Sequence, residues 1–185
     1  MKVSGQKIIK IVDYSSEWPQ IYENEREFIG GILSGLDYRI EHIGSTSVEG
    51  LGAKPIIDIL LGLEDFDRDS KKLVELMTGA GYNYVDSFEH IMPYRRYFNK
   101  KSDGVVTGYH VHSVQTGGWF WNRHIAFRNY LRENDDVRDE YYRVKKELSK
   151  KVWDDKNDYA WAKTDFIVPV QEKAMKIYFP DYEKG

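Results

Sequence analysis

The twenty residues 41–60, EHIGSTSVEGLGAKPIIDIL, decide the fold. Residues 38–43 (YRIEHI) and 55–63 (PIIDILLGL) read as strands, and the second is apolar on both faces, as expected of a strand covered on both sides. Between them lies a loop of small and hydroxyl residues, Gly44-Ser45-Thr46-Ser47. Asp58, thirteen residues after Ser45, is the sole ionisable group in PIIDILLGL. A carboxylate inside an apolar strand is costly unless a cation or several donors meet it, so Asp58 is expected to face a ligand. Glycine lets backbone N–H groups approach a phosphate, serine adds a short donor, and an aspartate nearby can hold a metal ion against that phosphate. Two other glycine loops are excluded. Neither Gly44 nor Gly50 is followed by the Gly-Lys-Ser/Thr of a Walker A loop, and after Gly50 and Gly52 the third site of a dinucleotide fingerprint is Pro55.

Outward from this stretch, residues 8–12 alternate as a short strand, and Ser15 or Ser16 offers an N-cap for a helix with Pro19 in its first turn. A helix is expected at about 67–79, then strands at 82–88, 94–99 and 105–115, the last two joined by KSDG, a hairpin signal. Residues 119–133, 136–153 and 158–179 carry helical spacing, with Pro169 predicting a kink or break in the last. The fold class is therefore α/β (α+β): a mixed sheet flanked by helices, with a C-terminal helical segment. It is read as one domain over 1–185, with the sheet core at about 8–117 and the helical part at about 118–180.

A chain of 185 residues with 41% hydrophobic and 31% charged residues is of globular type. The formal net charge of −3 makes nucleic acid an unexpected partner, and phosphate binding would have to come from a local cluster. Without cysteine, any metal must be held by His, Asp and Glu. Lys7 and Lys10 interrupt any apolar signal core in MKVSGQKIIKIV, and no apolar run approaches a membrane span, so a cytoplasmic location and no membrane partner are expected. Oligomeric state is not legible.

The ordered blocks HIGSTSV, GL, AKPIIDI, RxF at Arg96, HxH at 110–112, AFR.YLR and Y…K..F resemble the GrpB family, over about residues 8 to 175. The resemblance implies the polymerase-β-like nucleotidyltransferase fold. It maps that superfamily's Gly-Ser onto Gly44 and Ser45, and the first carboxylate of its Asp-x-Asp pair onto Asp58. The second carboxylate would fall at position 60, where the chain has Leu60. A two-metal site normally draws on two or three carboxylates, so the metal set here departs from the superfamily's.

Replacement ligands are at hand. His110 and His112 are two apart on a strand and share a face, and His42 ends the strand leading into the loop. A divalent metal (Mg, Mn or Zn) is thus expected at Asp58, His110, His112 and His42, with imidazole favouring the transition metals. Ser45 and Asp58 are the candidate catalytic residues. Gly44, Ser45, Thr46, Lys54, Arg96 and Lys163 are the candidate contacts to phosphate or substrate, Lys54 because Pro55 holds its backbone extended. Tyr159 stands one turn before Lys163. The basic run Arg143, Lys145, Lys146, Lys150 and Lys151 reads as a solvated helix face. The expected partner is a nucleotide or other phosphorylated small molecule. Nucleotidyl transfer, a non-catalytic binding module and a metal-dependent hydrolase using the HxH pair are the functions these residues admit.

Overall fold

The computed structural model describes residues 7–182. Residues 1–6, which open MKVSGQKIIKIV, and residues 183–185 lie outside the described residues. Strand β1 (Lys7–Ile8) is followed by α1 (Trp18–Ile32), β2 (Tyr38–Ile43), a 3-10 turn (Ser45–Ser47), β3 (Ile56–Leu63) and α2 (Phe66–Gly79). Then come β4 (Asn83–Tyr84), β5 (Arg95–Lys101), β6 (Gly108–Gln115), α3 (Trp119–Glu133) and α4 (Asp135–Ser149). The chain finishes with β7 (Val152–Trp153), α5 (Lys156–Trp161) and α6 (Thr164–Tyr178).

Five strands form one mixed sheet in the order β2-β3-β6-β5-β4, and β1 pairs with β7 in a separate two-stranded ribbon. The central pair β3–β6 is parallel, with Asp58 opposite His110 and Leu60 opposite His112. Antiparallel β2 sets Ile43 opposite Asp58, and antiparallel β5 sets Tyr97 opposite His112. Since side chains alternate along a strand, these pairings sort the sheet into two faces. One carries Ile57, Ile59, Leu61 and Leu63 of β3 against Trp18, Tyr22, Ile29, Leu73 and Met77 of α1 and α2, forming the main core. The other carries Asp58, Leu60, His110, His112 and Tyr97. Over it, Leu60, Ile43 and Val114 pack on Phe120 and Trp121 of α3.

The expected strands at 38–43 and 55–63 and the helix at 119–133 form where the sequence places them. Strand 82–88 contracts to Asn83–Tyr84, because the chain turns away over 87–92. The first helix begins at Trp18 after an N-cap at Glu17, with no side-chain cap. The last expected helix is divided in two at Ala162–Lys163, and Pro169 sits within α6 rather than at the break. An Asp155–Asp158 capping box starts α5 independently.

Candidate functional site

Gly44 has φ 71°, a left-handed conformation that favours glycine, and it lies directly against Asp58. A Cβ there would meet Asp58 Oδ2 at 2.5 Å, so only glycine lets the loop close on the carboxylate. Ser47 Oγ donates to the Gly44 carbonyl at 2.6 Å. From α3, Arg132 donates twice to the Ser47 carbonyl, at 2.9 and 2.7 Å. Arg128 donates to Glu41 Oε2 at 2.6 Å and to the His42 carbonyl at 2.9 Å, tying helix to sheet. Ser45 is thereby presented at a fixed edge of the loop.

A cavity of about 160 Å³ opens at this edge, lined by Ser45, Thr46, Lys54, Asp58, His110, Lys145, Tyr159 and Lys163 among others. Asp58 is about one-third exposed, and its Oδ1 lies 3.3 Å from His110 Nδ1. Burial opposes ionisation of Asp58, but His110, followed by His112 and Lys163, overcomes it and holds the carboxyl below the usual range. Three amines share the cavity with this carboxylate. Lys54 Nζ lies 4.6 Å from the Tyr159 ring centre and Lys163 Nζ lies 4.8 Å from it. Lys145, only 2% exposed, donates to Ser45 Oγ at 2.8 Å and to the Gly52 carbonyl. Burial, then Lys163, pushes the Lys145 amine down to about 6. Burial, then Lys54, pushes Lys163 down to about 8 against the pull of Asp58. The Tyr159 hydroxyl is buried with no hydrogen-bond partner among the described residues.

The structure thus brings together Gly44, Ser45, Thr46, Lys54, Asp58, His110 and Lys163. Thr46 also braces the loop against β2 and β3. Its Oγ1 lies 3.0 Å from His42 Nε2 and donates to the Ile56 carbonyl at 3.3 Å, so His42 supplies the proton to Thr46.

Three expected members are placed elsewhere. His42 points to the opposite face, stacked on Tyr22 at 4.5 Å, and burial lowers it to about 3. His112 shares the Asp58 face, but its Nδ1 faces Arg95 Nη1 at 3.3 Å. Arg96 lies on the far face, donating to the Pro93 carbonyl at 2.9 Å, pairing with Glu89 at 3.4 Å and covering Phe66. Among the described residues no group of three or more His, Asp and Glu side chains converges to hold a metal ion, so the expected Asp58, His110 and His112 set does not form. What remains is the Asp58–His110 pair. Leu60 is fully buried against Phe120 and Trp121, so packing fills the second carboxylate position.

Lys145 corrects the reading of its basic run as a solvated face. The signal is present in the sequence: Lys145 follows Tyr141 by four and precedes Leu148 by three, which puts it on the helix stripe that packs inward.

A mixed sheet presenting a Gly-Ser loop and one aspartate beneath C-terminal helices defines a nucleotidyltransferase-like fold. That fold recurs in the Cid1 poly(U) polymerase with MgGTP bound, at TM-score 0.53 and 10% identity, over 76% of this chain and 44% of Cid1. The GrpB protein family model matches residues 8–173, and the chain belongs to this family. A UPF0157 protein of Halalkalibacterium halodurans is 35% identical over 170 residues, covering 90% of this chain and 82% of that protein. The glutamate-rich protein GrpB of Alkalihalophilus pseudofirmus is 32% identical over 159 residues, covering 85% and 90%. The crystal structure of conserved protein GrpB from Enterococcus faecalis superposes with TM-score 0.77 at 34% identity, covering 92% of this chain and 99% of that one. No helix among the described residues is long and apolar enough to cross a membrane.

Proposed function

We propose that the cavity binds the phosphate groups of a nucleotide or similar phosphorylated small molecule, and that the chain transfers a nucleotidyl group from a nucleoside triphosphate to an acceptor. The acceptor's hydroxyl or amine bonds to the α-phosphorus as the α–β phosphoanhydride bond breaks, pyrophosphate leaving and the acceptor's proton passing to solvent. The observation that carries this reading is the convergence of Lys54, Lys145 and Lys163 on Ser45 and Asp58. Three amines face one carboxylate, and two of them are held below the usual lysine range by burial. A polyanion would restore their charge and be held in a low-dielectric recess where each contact counts for more than in water. Ser45 Oγ and the backbone beside Gly44 would contact the terminal phosphates, with the Tyr159 hydroxyl as a further donor.

The residues fit a metal that arrives with its phosphates better than a resident one. Asp58 and His110 would hold it, with the remaining positions filled by phosphate oxygens, as is usual for Mg²⁺ or Mn²⁺ at nucleotide sites. When bound, the metal neutralises phosphate charge as a Lewis acid. The burial of Leu60 gives weight to a second reading, a binding module without turnover, because among the described residues only one carboxylate lines the cavity.

Calorimetric titration with a nucleoside triphosphate, with and without Mn²⁺ or Mg²⁺, tests the proposal. Saturation at about 100 times Kd should stabilise the fold by roughly 2.7 kcal/mol. Lys163→Gln should weaken binding by roughly tenfold, the size of one charge-assisted hydrogen bond. Asp58→Asn should remove the metal dependence. Absence of binding by any nucleoside triphosphate or by inorganic triphosphate sinks the reading. Binding without turnover in the presence of metal leaves the binding module.

A further inference from the structure

A second basic cluster lies on the same sheet face. Arg95 of β5 sits opposite Val114 of β6, four residues beyond His110, so roughly 13 Å along the strand from the Asp58–His110 pair. Its guanidinium lies 5.4 Å from the Tyr97 ring centre and 6.0 Å from that of Phe120. Arg123, one turn into α3, stacks over Trp119 at 4.3 Å and Phe120 at 4.6 Å. Arg123 Nε is buried with no hydrogen-bond partner among the described residues. Among those residues neither arginine pairs with a carboxylate, unlike Arg96, Arg128 and Arg138. Burial disfavours the charge of both.

Two half-buried guanidiniums with no carboxylate in contact, Arg95 feeling only the more distant Glu89, are expensive as mere structure, because a buried charge is ordinarily paired. Trp119 and Phe120, the rings these guanidiniums rest on, also wall a cavity of about 410 Å³ with Tyr94 and Val114; the arginines border it through these rings and are not part of its lining. Apolar walls and two forked cations select a molecule of mixed character. A bidentate guanidinium matches the oxygens of a carboxylate or a phosphate, and the aromatic rings match an apolar body.

We infer that Arg95 and Arg123 form a second anion site that takes an organic acid, a carboxylate or phosphate carried on an apolar body. Its place on the Asp58 face makes it the acceptor position for the transfer, a role that rests on the function proposed above. The acid group anchors on the arginines, the apolar body lies against Trp119 and Phe120, and a hydroxyl or amine at the free end extends past His112 toward the phosphates. There it bonds to the α-phosphorus as pyrophosphate leaves and its proton passes to solvent.

The test is an amide-shift titration of the full chain with phenyl phosphate, benzoate and inorganic phosphate. The two aromatic acids should move the signals of Tyr94–Arg95 and Trp119–Arg123, and inorganic phosphate should do so more weakly. Arg123→Gln and Arg95→Gln should each raise Kd for the tighter acid by roughly tenfold or more. The response of Gly44–Thr46 to a nucleoside triphosphate should stay unchanged. Whichever of benzoate and phenyl phosphate binds more tightly tells carboxylate from phosphate. Where Arg123→Gln does not fold, Arg123→Lys keeps the charge without the fork and should still weaken binding. No shift at 119–123 with either acid overturns the inference, as does a Kd within twofold of wild type in the arginine variants. Shifts confined to 44–46 and abolished by Lys163→Gln overturn it too, placing the ligand in the lysine cavity. Loss of triphosphate binding alone, with the arginine-dependent response intact, refutes the function proposed above and leaves this site standing.

Discussion

Replacing Lys145 by Met should stabilise the protein while damaging its phosphate site. The amine is 2% exposed and ionises at about 6, against 10.5 for an ordinary lysine. The sign follows from linkage. The folded state holds fewer protons than the unfolded state between these values, so wild-type stability rises with pH across that window. At pH 7 the nominal cost of burying this lysine is about 5 kcal/mol, at about 1.4 kcal/mol for each pH unit below 10.5. Met keeps the volume and discards that cost, but it also gives up the hydrogen bonds to Ser45 and Gly52, worth about 1 kcal/mol each.

The net expectation is a gain of about 3 kcal/mol at pH 7. For a chain of this size that is a rise in Tm of roughly 6–12 °C. Denaturant unfolding from pH 6 to 10 measures it, and the advantage over wild type should shrink steadily as pH rises toward 10. A variant less stable than wild type at pH 7, or an advantage that does not shrink with pH, refutes the reasoning: Lys145 would then be a tether for the loop. A stabilised variant that still binds triphosphate at full strength would remove the amine from the site.

Triphosphate binding should also draw protons from solution. At pH 7.5 Lys145 is mainly neutral and Lys163 mainly protonated, so charging both should take up about one proton, measurable by calorimetry in buffers of different ionisation enthalpy. Uptake near zero would show that the amines stay neutral in the complex. Leu60→Asp should cost at least about 3 kcal/mol in denaturant unfolding without improving Mg²⁺ binding, because the new carboxylate would lie among Ile43, Phe120 and Trp121. A tighter metal with little loss of stability would instead show that the superfamily's second carboxylate position is still usable. Arg96→Gln should leave triphosphate affinity within twofold in the same calorimetric assay, since its guanidinium faces Glu89 and Phe66; a tenfold loss would contradict the face assigned to it.

The loop and its aspartate are legible in the sequence because each breaks a local rule. Gly44 stands where no other residue fits against the carboxylate, and Asp58 interrupts an apolar strand. The misplaced residues are mostly a matter of parity. Alternation puts Arg95 rather than Arg96 on the working face, and Glu41 and Ile43 rather than His42 on the face of Asp58. A one-residue change sends a strand side chain through the sheet, and no composition argument detects it. His112 has the right parity but the wrong neighbour, since Arg95 arrives from a strand whose partner is fixed only by tertiary pairing. Lys145 is hidden by company: it sits in a run of basic residues that are mostly solvated, and only its spacing from Tyr141 and Leu148 sets it apart.

The lysine cavity joins Ser45 and Asp58 near the start of the sheet to Lys145 of α4, Tyr159 of α5 and Lys163 at the break before α6. Such contacts close only after a long loop of chain has been ordered, which places completion of the site late in folding. A ligand that bridges both halves would then act as a clasp on the whole molecule. Without it, the amide hydrogens of α5 and α6 should exchange ahead of those of the sheet; with it, they should exchange only when the sheet itself unfolds.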